Sequence, residues 1–284
     1  MSAGVTTSDW QPAPAAAPSP LAAIGDIHGA HRQLAALRAH LDTLRPHRRV
    51  YLGDLIDPYS ARAETSNCAD VLDQVEADMV LGAEVLVGNH ESLFLIALEN
   101  GHRRRAGERQ ILPGVSWYQN GAAATARAFG VEPPRLAVSD TQLGEAVWAA
   151  MSAEQRRVIE AMQVAIDHGP YLLVHAGVDR EAEAGWRDPA TKIRTAAGVG
   201  VETHPLWIRY ADYEDDAPRG RVLIHGHTPR RTPFLGRRRI CIDTGAKVGG
   251  PLTAIEIVDD RMRVHQAWAD DVSPAAWEKM WRRG

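Results

Sequence analysis

The sequence predicts an α/β fold, and three observations predict it. A short apolar run, a glycine-containing polar loop and a helical stretch follow one another three times between residues 21 and 99, the alternation that builds a sheet covered by helices. Strand patterns then vanish between Gly101 and Met162, which reads as a helical insertion of about 60 residues. Short apolar runs return in quick succession from Val164 to Gln266 and make a β-rich second half.

Each element has its own reason. Residues 1–20 are small, Pro/Ala-rich and almost uncharged, so a disordered leader is expected ahead of one domain over residues 21–284. No basic stretch precedes an apolar core there, so no secretory signal is read and a cytoplasmic chain is the default expectation. Leu21–Ile24, ended by Gly25, is a buried-strand run. His31–Leu44 carries apolar residues at 34, 37, 41 and 44, a helical period, and Pro46 stops it. Arg49–Leu52 and Glu84–Val87 are the second and third strands; Asn67–Met79 and Glu91–Glu99 are the helices that follow them. In the insertion, Ser139-x-x-Gln142 and Ser152-x-x-Gln155 are capping-box patterns opening helices of about ten residues each. Strands follow at 164–166, 171–174, 222–224, 240–242, 254–258 and 262–266, and Pro274 opens a terminal helix.

Composition excludes several classes. The 32 Lys+Arg against 36 Asp+Glu leave a net charge of −4, so no global positive field draws the chain to nucleic acid or anionic lipid. Cys68 and Cys241 stand far apart, which excludes a disulfide scaffold and a C-x-x-C zinc ribbon. No run of about 18 apolar residues occurs, so no membrane span is expected.

The polar residues are informative by position. Strand runs end in Gly25-Asp26-Ile27-His28-Gly29, Gly53-Asp54-Leu55-Ile56-Asp57, Gly88-Asn89-His90-Glu91, His175-Ala176-Gly177 and His225-Gly226-His227. Sites in α/β folds gather at the carboxyl ends of strands, and five such fragments in one order are a joint signal that none carries alone. Carboxylate and imidazole donors together suit manganese, iron or zinc. They are too many for one tetrahedral ion, and a bridging carboxylate would hold two ions about 3.5–4 Å apart, a geometry for displacement at phosphorus. His225 stands two residues before His227, so a continuing strand would place both on one face. Glu91 reads as a support for its loop. Cys68, Cys241, Trp117, Trp148 and Trp207 read as packing residues, and Arg103–Arg105 and Arg237–Arg239 as solvated basic runs whose sharper alternative is a contact with a nucleotide tail.

These fragments resemble the calcineurin-like metallophosphoesterases, within them the serine/threonine phosphoprotein phosphatase branch that bacterial diadenosine tetraphosphate hydrolases share. Trp117–Gly121 with Thr125, Leu206–Arg209, His225–Pro229 and Asp243–Thr253 extend the likeness over about residues 21–258. The resemblance implies a central β-sandwich of mixed sheets flanked by helices. It implies one divalent metal ion on Asp26, His28 and Asp54, and a second on Asp54, Asn89, His175 and His227, with manganese the leading candidate. It implies attack by a metal-bridging hydroxide, with His90 as general acid and Asp57 orienting it and keeping it protonated. The expected substrate is a phosphoprotein; the alternative is a small phosphorylated molecule such as a dinucleoside polyphosphate. One departure stands out. Where the family has an arginine that grips phosphate, this chain has Pro58, so Arg62 and Arg209 are the replacement candidates, and a metal-binding module without turnover is the rival reading.

Overall fold

The computed structural model describes residues 4–44, 47–59, 65–112, 115–133, 139–178, 187, 189–193, 204–209, 215, 217 and 220–281. Two mixed sheets lie face to face with helices outside. The first sheet has the order β1 (Val5–Thr7), β12 (Arg261–Ala267), β11 (Leu252–Val258), β3 (Leu21–Ile24), β4 (Arg48–Tyr51), β5 (Glu84–Val85), and β2 (Gln11–Pro12) also pairs with β12. The second has the order β6 (Ala165–His168), β7 (Tyr171–Val174), β8 (Val222–His225), β10 (Arg239–Cys241), β9 (Phe234–Leu235). Within them β3, β4 and β5 run parallel, as do β7, β8 and β10, so six strand ends point to one rim.

The apolar runs lack alternation because the central strands are buried on both faces. Leu21 and Ala23 of β3, with Val50 of β4, point between the sheets and meet Leu173, Ile224 and Ile240. Ala22, Ile24 and Tyr51 point outward, under α1 (His31–Asp42), α2 (Cys68–Val80) and α3 (Asn89–Ala106). On the far face of the second sheet, Leu172, Val174 and Leu223 form a smaller cluster. No helix among the described residues is long and apolar enough to cross a membrane.

Local chemistry sets the helix boundaries. The Asn67 side chain accepts hydrogen bonds from the backbone N–H groups of Ala69 and Asp70 and starts α2. The Ser152/Gln155 capping box forms in both directions and opens α6 (Ala153–Ala161). Ser139 accepts from the Gln142 N–H and opens α5 (Asp140–Ala150). The remaining helices are α4 (Ala122–Ala128) and α7 (Pro274–Trp281).

Two expectations are corrected and one strand is added. The stretch read as a disordered leader instead carries β1 and β2: Val5–Thr7 pair with His265–Ala267, and Gln11–Pro12 pair with Arg261–Met262. Its Pro/Ala composition masks a β-prone Val-Thr-Thr run that covers the open edge of β12. Trp10 adds a platform under Arg261 and Arg263, whose guanidinium carbons lie 5.2 and 4.3 Å from its ring centre. The helix expected over Glu91–Glu99 runs from Asn89 to Ala106. Gly101 does not stop it because α5 packs there, so closely that a Cβ would stand 2.3 Å from the Glu145 carboxylate. Gly107, with φ +70°, ends it instead. Finally, β9 is only two residues long and leaves no periodic signal.

Candidate metal centre

The six parallel strand ends deliver Asp26 and His28, Asp54 and Asp57, Asn89 and His90, His175, His227, and Asp243 to one rim. The backbone is forced there. His28, Asp54, Asp57 and His227 all adopt positive φ, between 47° and 65°, a conformation that L-residues occupy at a cost and retain where their surroundings over-determine it. Two glycines make room for carboxylates. A Cβ on Gly88 would stand 2.1 Å from Asp54 Oδ1, and one on Gly226 would stand 1.8 Å from Asp26 Oδ1.

Backbone carbonyls orient two of the imidazoles. The Nδ1–H of His28 donates to the Ile56 carbonyl at 2.9 Å, leaving Nε2 3.3 Å from Asp54 Oδ2. The Nδ1–H of His175 donates to the Leu52 carbonyl at 2.8 Å, leaving Nε2 3.0 Å from Asn89 Oδ1 and 3.5 Å from Asp54 Oδ1. His227 Nδ1 lies 2.9 Å from the same Asn89 oxygen. A carbonyl contact of this kind fixes the tautomer of a metal-ligating histidine. Two sets of ligand atoms result, each within a 4.8 Å span: His28, Asp54 and His90, and Asp54, His175 and His227. Asp54 belongs to both. Asp26 stands at the edge, with Oδ2 accepting the His227 N–H at 2.9 Å, while Asp26 Oδ1 and His227 Nε2 are buried with no hydrogen-bond partner among the described residues.

The electrostatics favour cations. Asp26, Asp54, Glu91 and Asp243 are all buried, and none is in an ion pair with Lys or Arg among the described residues. Burial, then Asp243 and Asp54, push the Asp26 carboxyl well above the usual range. Burial likewise raises Asp243. At Asp54 burial works against ionisation, but His175, His90 and His28 outweigh it and hold the carboxyl well below the usual range. This excess of buried carboxylate beside imidazole and amide oxygen fits divalent cations.

Asp57 is fully buried and fully engaged. Its Oδ1 accepts from the Thr125 hydroxyl at 2.6 Å. Its Oδ2 accepts from Trp117 Nε1–H at 2.8 Å and from His90 Nδ1–H at 2.9 Å. This fixes His90 with Nε2 toward the open side, where Lys247 Nζ stands 2.8 Å away. The pairing with Asp57 was expected to raise the pKa of His90; burial instead lowers it, outweighing Asp54 and Asp57. Glu91 ties the loops together. Its carboxylate accepts from the backbone N–H groups of Asp54, Gly88, Leu55 and Ile56 at 2.7–3.2 Å. Burial and Asp54 push this carboxyl up to about 8, against the pull of those donors.

Other expected residues fall elsewhere. Arg62 lies outside the described residues. Arg209 is exposed at the margin, its Nη1 3.4 Å from the His227 carbonyl. His225 does not share a face with His227, because the strand ends at His225 and the left-handed turn at His227 breaks the alternation. Its Nε2 instead accepts from the buried Arg239 at 3.1 Å, and burial lowers its pKa to about 3. The side chains of Arg103–Arg105, Arg238 and Arg239 are engaged within the fold. Arg103 pairs with Glu99 and Glu108, and Arg104 and Arg105 pair with Glu145. Arg239 stacks on Phe234. Three residues at the rim received no role from the sequence: Asp243, Trp117 as a donor to Asp57, and Lys247. For Asp243 the signal was available, since it too follows an apolar strand.

The family profile of the calcineurin-like phosphoesterases matches residues 19–248. Among solved structures, a candidate diadenosine tetraphosphatase aligns with TM-score 0.51 and 15% identity over 88% of this chain and 94% of that one. The cold-active protein-tyrosine phosphatase of a psychrophilic Shewanella species aligns with TM-score 0.52 and 17% identity over 84% and 77%. At these identities the likeness is one of fold. No curated protein matches the chain. With the family profile spanning most of its length, the chain belongs to the calcineurin-like phosphoesterases, metal-dependent hydrolases of phosphate esters.

Proposed function

We propose that the rim binds two divalent cations, manganese first among the candidates, and hydrolyses phosphate monoesters of proteins. The observation that carries the reading is Asp54, which stands both with His28 and His90 and with His175 and His227 and is the carboxylate held most firmly ionised. Asp26, His28 and Asp54 would hold one ion; Asp54, Asn89, His175 and His227 would hold the other. Two divalent ions would also neutralise the charge of Asp26, Asp54, Glu91 and Asp243. The ions supply an activated water and a positive field for the phosphate oxygens.

The chain's own groups do the rest. His90 Nε2 faces the open side beside Asp54 and is placed to exchange a proton with the leaving oxygen. Asp57, held by Trp117 and Thr125, fixes the ring so that Nε2 is the nitrogen presented. Arg209 grips the phosphate from the His227 side, in place of the arginine that Pro58 replaces. Glu91 keeps Gly88, Asp54 and Ile56 at the distance the ligands need.

A dinucleoside polyphosphate is the second reading, favoured by a cavity of about 420 Å³ lined by Arg127 and by Lys247, which meets His90. Purified protein with manganese should hydrolyse a phosphoserine peptide, and His90→Asn should lower kcat about 100- to 1,000-fold. Full activity in His90→Asn overturns the role given to His90. Absence of turnover with the peptide and with diadenosine tetraphosphate alike leaves only the metal-binding module.

A further inference from the structure

We propose that Lys247 and Arg127 form an anion subsite on the leaving-group side of the centre, which adds substrates whose leaving group carries negative charge to the phosphate esters that release a neutral alcohol. The inference rests on the phosphoesterase reading above and gives two of its cavity residues a role.

Position is the first argument. Lys247 sits in the short 3-10 turn Ala246–Val248, and its Nζ is 2.8 Å from the His90 nitrogen that faces the leaving oxygen. It also lines the 420 Å³ cavity, with Pro58, Tyr59, Tyr118, Asn120 and Arg127 around it. Lys247 thus stands between the cavity and His90.

Charge is the second. Neither Lys247 nor Arg127 is paired with a carboxylate among the described residues. Other cations of this chain are so paired. Arg38 and Arg49 are tied to Asp78, Arg103, Arg104 and Arg105 to glutamates of α3, α5 and the Glu108 turn, and Arg157 to Glu76 and Glu154. Two uncompensated cations around one cavity attract an anion. Pro58 is a wall of the same cavity and brings no charge, so Lys247 and Arg127 are the cations among its lining residues.

The chemistry follows. In hydrolysis the bond from phosphorus to the leaving oxygen breaks, the oxygen of water bonds to phosphorus, and a proton of that water passes to the leaving oxygen or to solvent. An alcohol departs neutral and gains little from a nearby ammonium. A phosphate leaving group carries its charge through the transition state and gains much more. Tyr59 and Tyr118, both exposed beside these cations, give the cavity walls an apolar face as well.

The test compares inorganic tripolyphosphate with a phosphoserine peptide at equal free manganese, in the wild type and in Lys247→Met, Lys247→Arg and Arg127→Ala. Lys247→Met should lower the ratio of kcat/KM for tripolyphosphate over peptide by about 10- to 100-fold, the loss of one charge-assisted hydrogen bond. Arg127→Ala should lower it about 3- to 10-fold, and Lys247→Arg should keep it within about 3-fold of wild type. An unchanged ratio in Lys247→Met, whether both substrates are lost equally or neither is, overturns the proposal. Binding of imidodiphosphate, which resists hydrolysis, is read by calorimetry on the manganese-loaded proteins and should weaken about 10-fold in Lys247→Met. If the wild type turns over neither substrate, the hydrolase reading fails, and imidodiphosphate binding alone decides the subsite: equal affinity in both proteins overturns it.

Discussion

Asp78 and Asp54 are both buried carboxylates beside the first sheet, yet their surroundings are opposite. Asp78, on α2, accepts from Arg38 and Arg49 at 2.5 Å and from the Tyr51 hydroxyl. Its charge is answered inside the protein. Asp54 has no Lys or Arg partner among the described residues and sits with Asp26, Glu91 and Asp243 among imidazoles and backbone N–H groups. A structural cluster closes on itself; a functional one leaves negative charge to be answered from outside. The geometry agrees, because the left-handed backbone gathers at the second cluster, whereas Arg38, Arg49, Tyr51 and Asp78 all have ordinary negative φ.

The predictions press on this contrast, from the largest effect to the smallest. Asp54→Asn should lower kcat at least about 1,000-fold, about 4 kcal/mol of transition-state stabilisation, while leaving the fold intact, since one carboxamide oxygen still accepts the His90 N–H. Wild-type rates in this variant would remove Asp54 from the centre. Asp78→Asn should do the reverse, costing about 3 kcal/mol of stability, since it strands two half-buried guanidinium groups, with no loss of kcat at a temperature where it is folded. Chemical denaturation checks the first half and steady-state kinetics the second.

The pH dependence should separate the clusters too. Burial works against ionisation of Asp78, but Arg38, Tyr51 and Arg49 hold its pKa below the usual carboxylate value of 3.8. Its stabilisation is therefore complete above that value and lost as pH falls through the depressed one. The difference in unfolding free energy between wild type and Asp78→Asn should be flat from pH 8 to 5 and shrink below about pH 4. At the metal rim the sign reverses. Asp26 and Asp243 are pushed up by burial and by neighbouring carboxylates, so metal-free protein is destabilised as pH rises beyond the ordinary carboxylate range. Manganese should raise Tm more at pH 8 than at pH 5, and an equal rise at both contradicts the assignment.

Smaller effects test the supports. Glu91→Gln replaces one of the two oxygens that accept four backbone N–H groups with an amide nitrogen and should cost about 2 kcal/mol. Trp117→Phe keeps the ring and deletes only the N–H bonded to Asp57, so kcat should fall about 3- to 10-fold, with a loss of about 1 kcal/mol or less in stability. A stability loss as large as that of Asp78→Asn would make Trp117 a core residue first.

Much of the site was legible because parallel strands put their carboxyl ends at one rim, so Asp26, Asp54, Asn89, His175 and His227 could be read from the residues that follow each apolar run. What the pattern could not carry was anything decided across long separations or by a broken period. Trp117 reaches Asp57 over 60 residues of chain. Lys247 meets His90 over 157. A continuing strand would place His225 on one face with His227, but a left-handed residue interrupts it. The first strands were hidden by proline and alanine, since a two- or three-residue edge strand takes its order from the neighbour it pairs with. The length of α3 was hidden by Gly101, whose role is contact with α5 rather than helix termination.

The manganese content of protein dialysed against the free ion tests the central claim most directly. The account predicts two ions per chain in the wild type and fewer than one in Asp54→Asn, because that side chain serves both ligand groups. Two ions retained in Asp54→Asn, or none bound by the wild type, would contradict it.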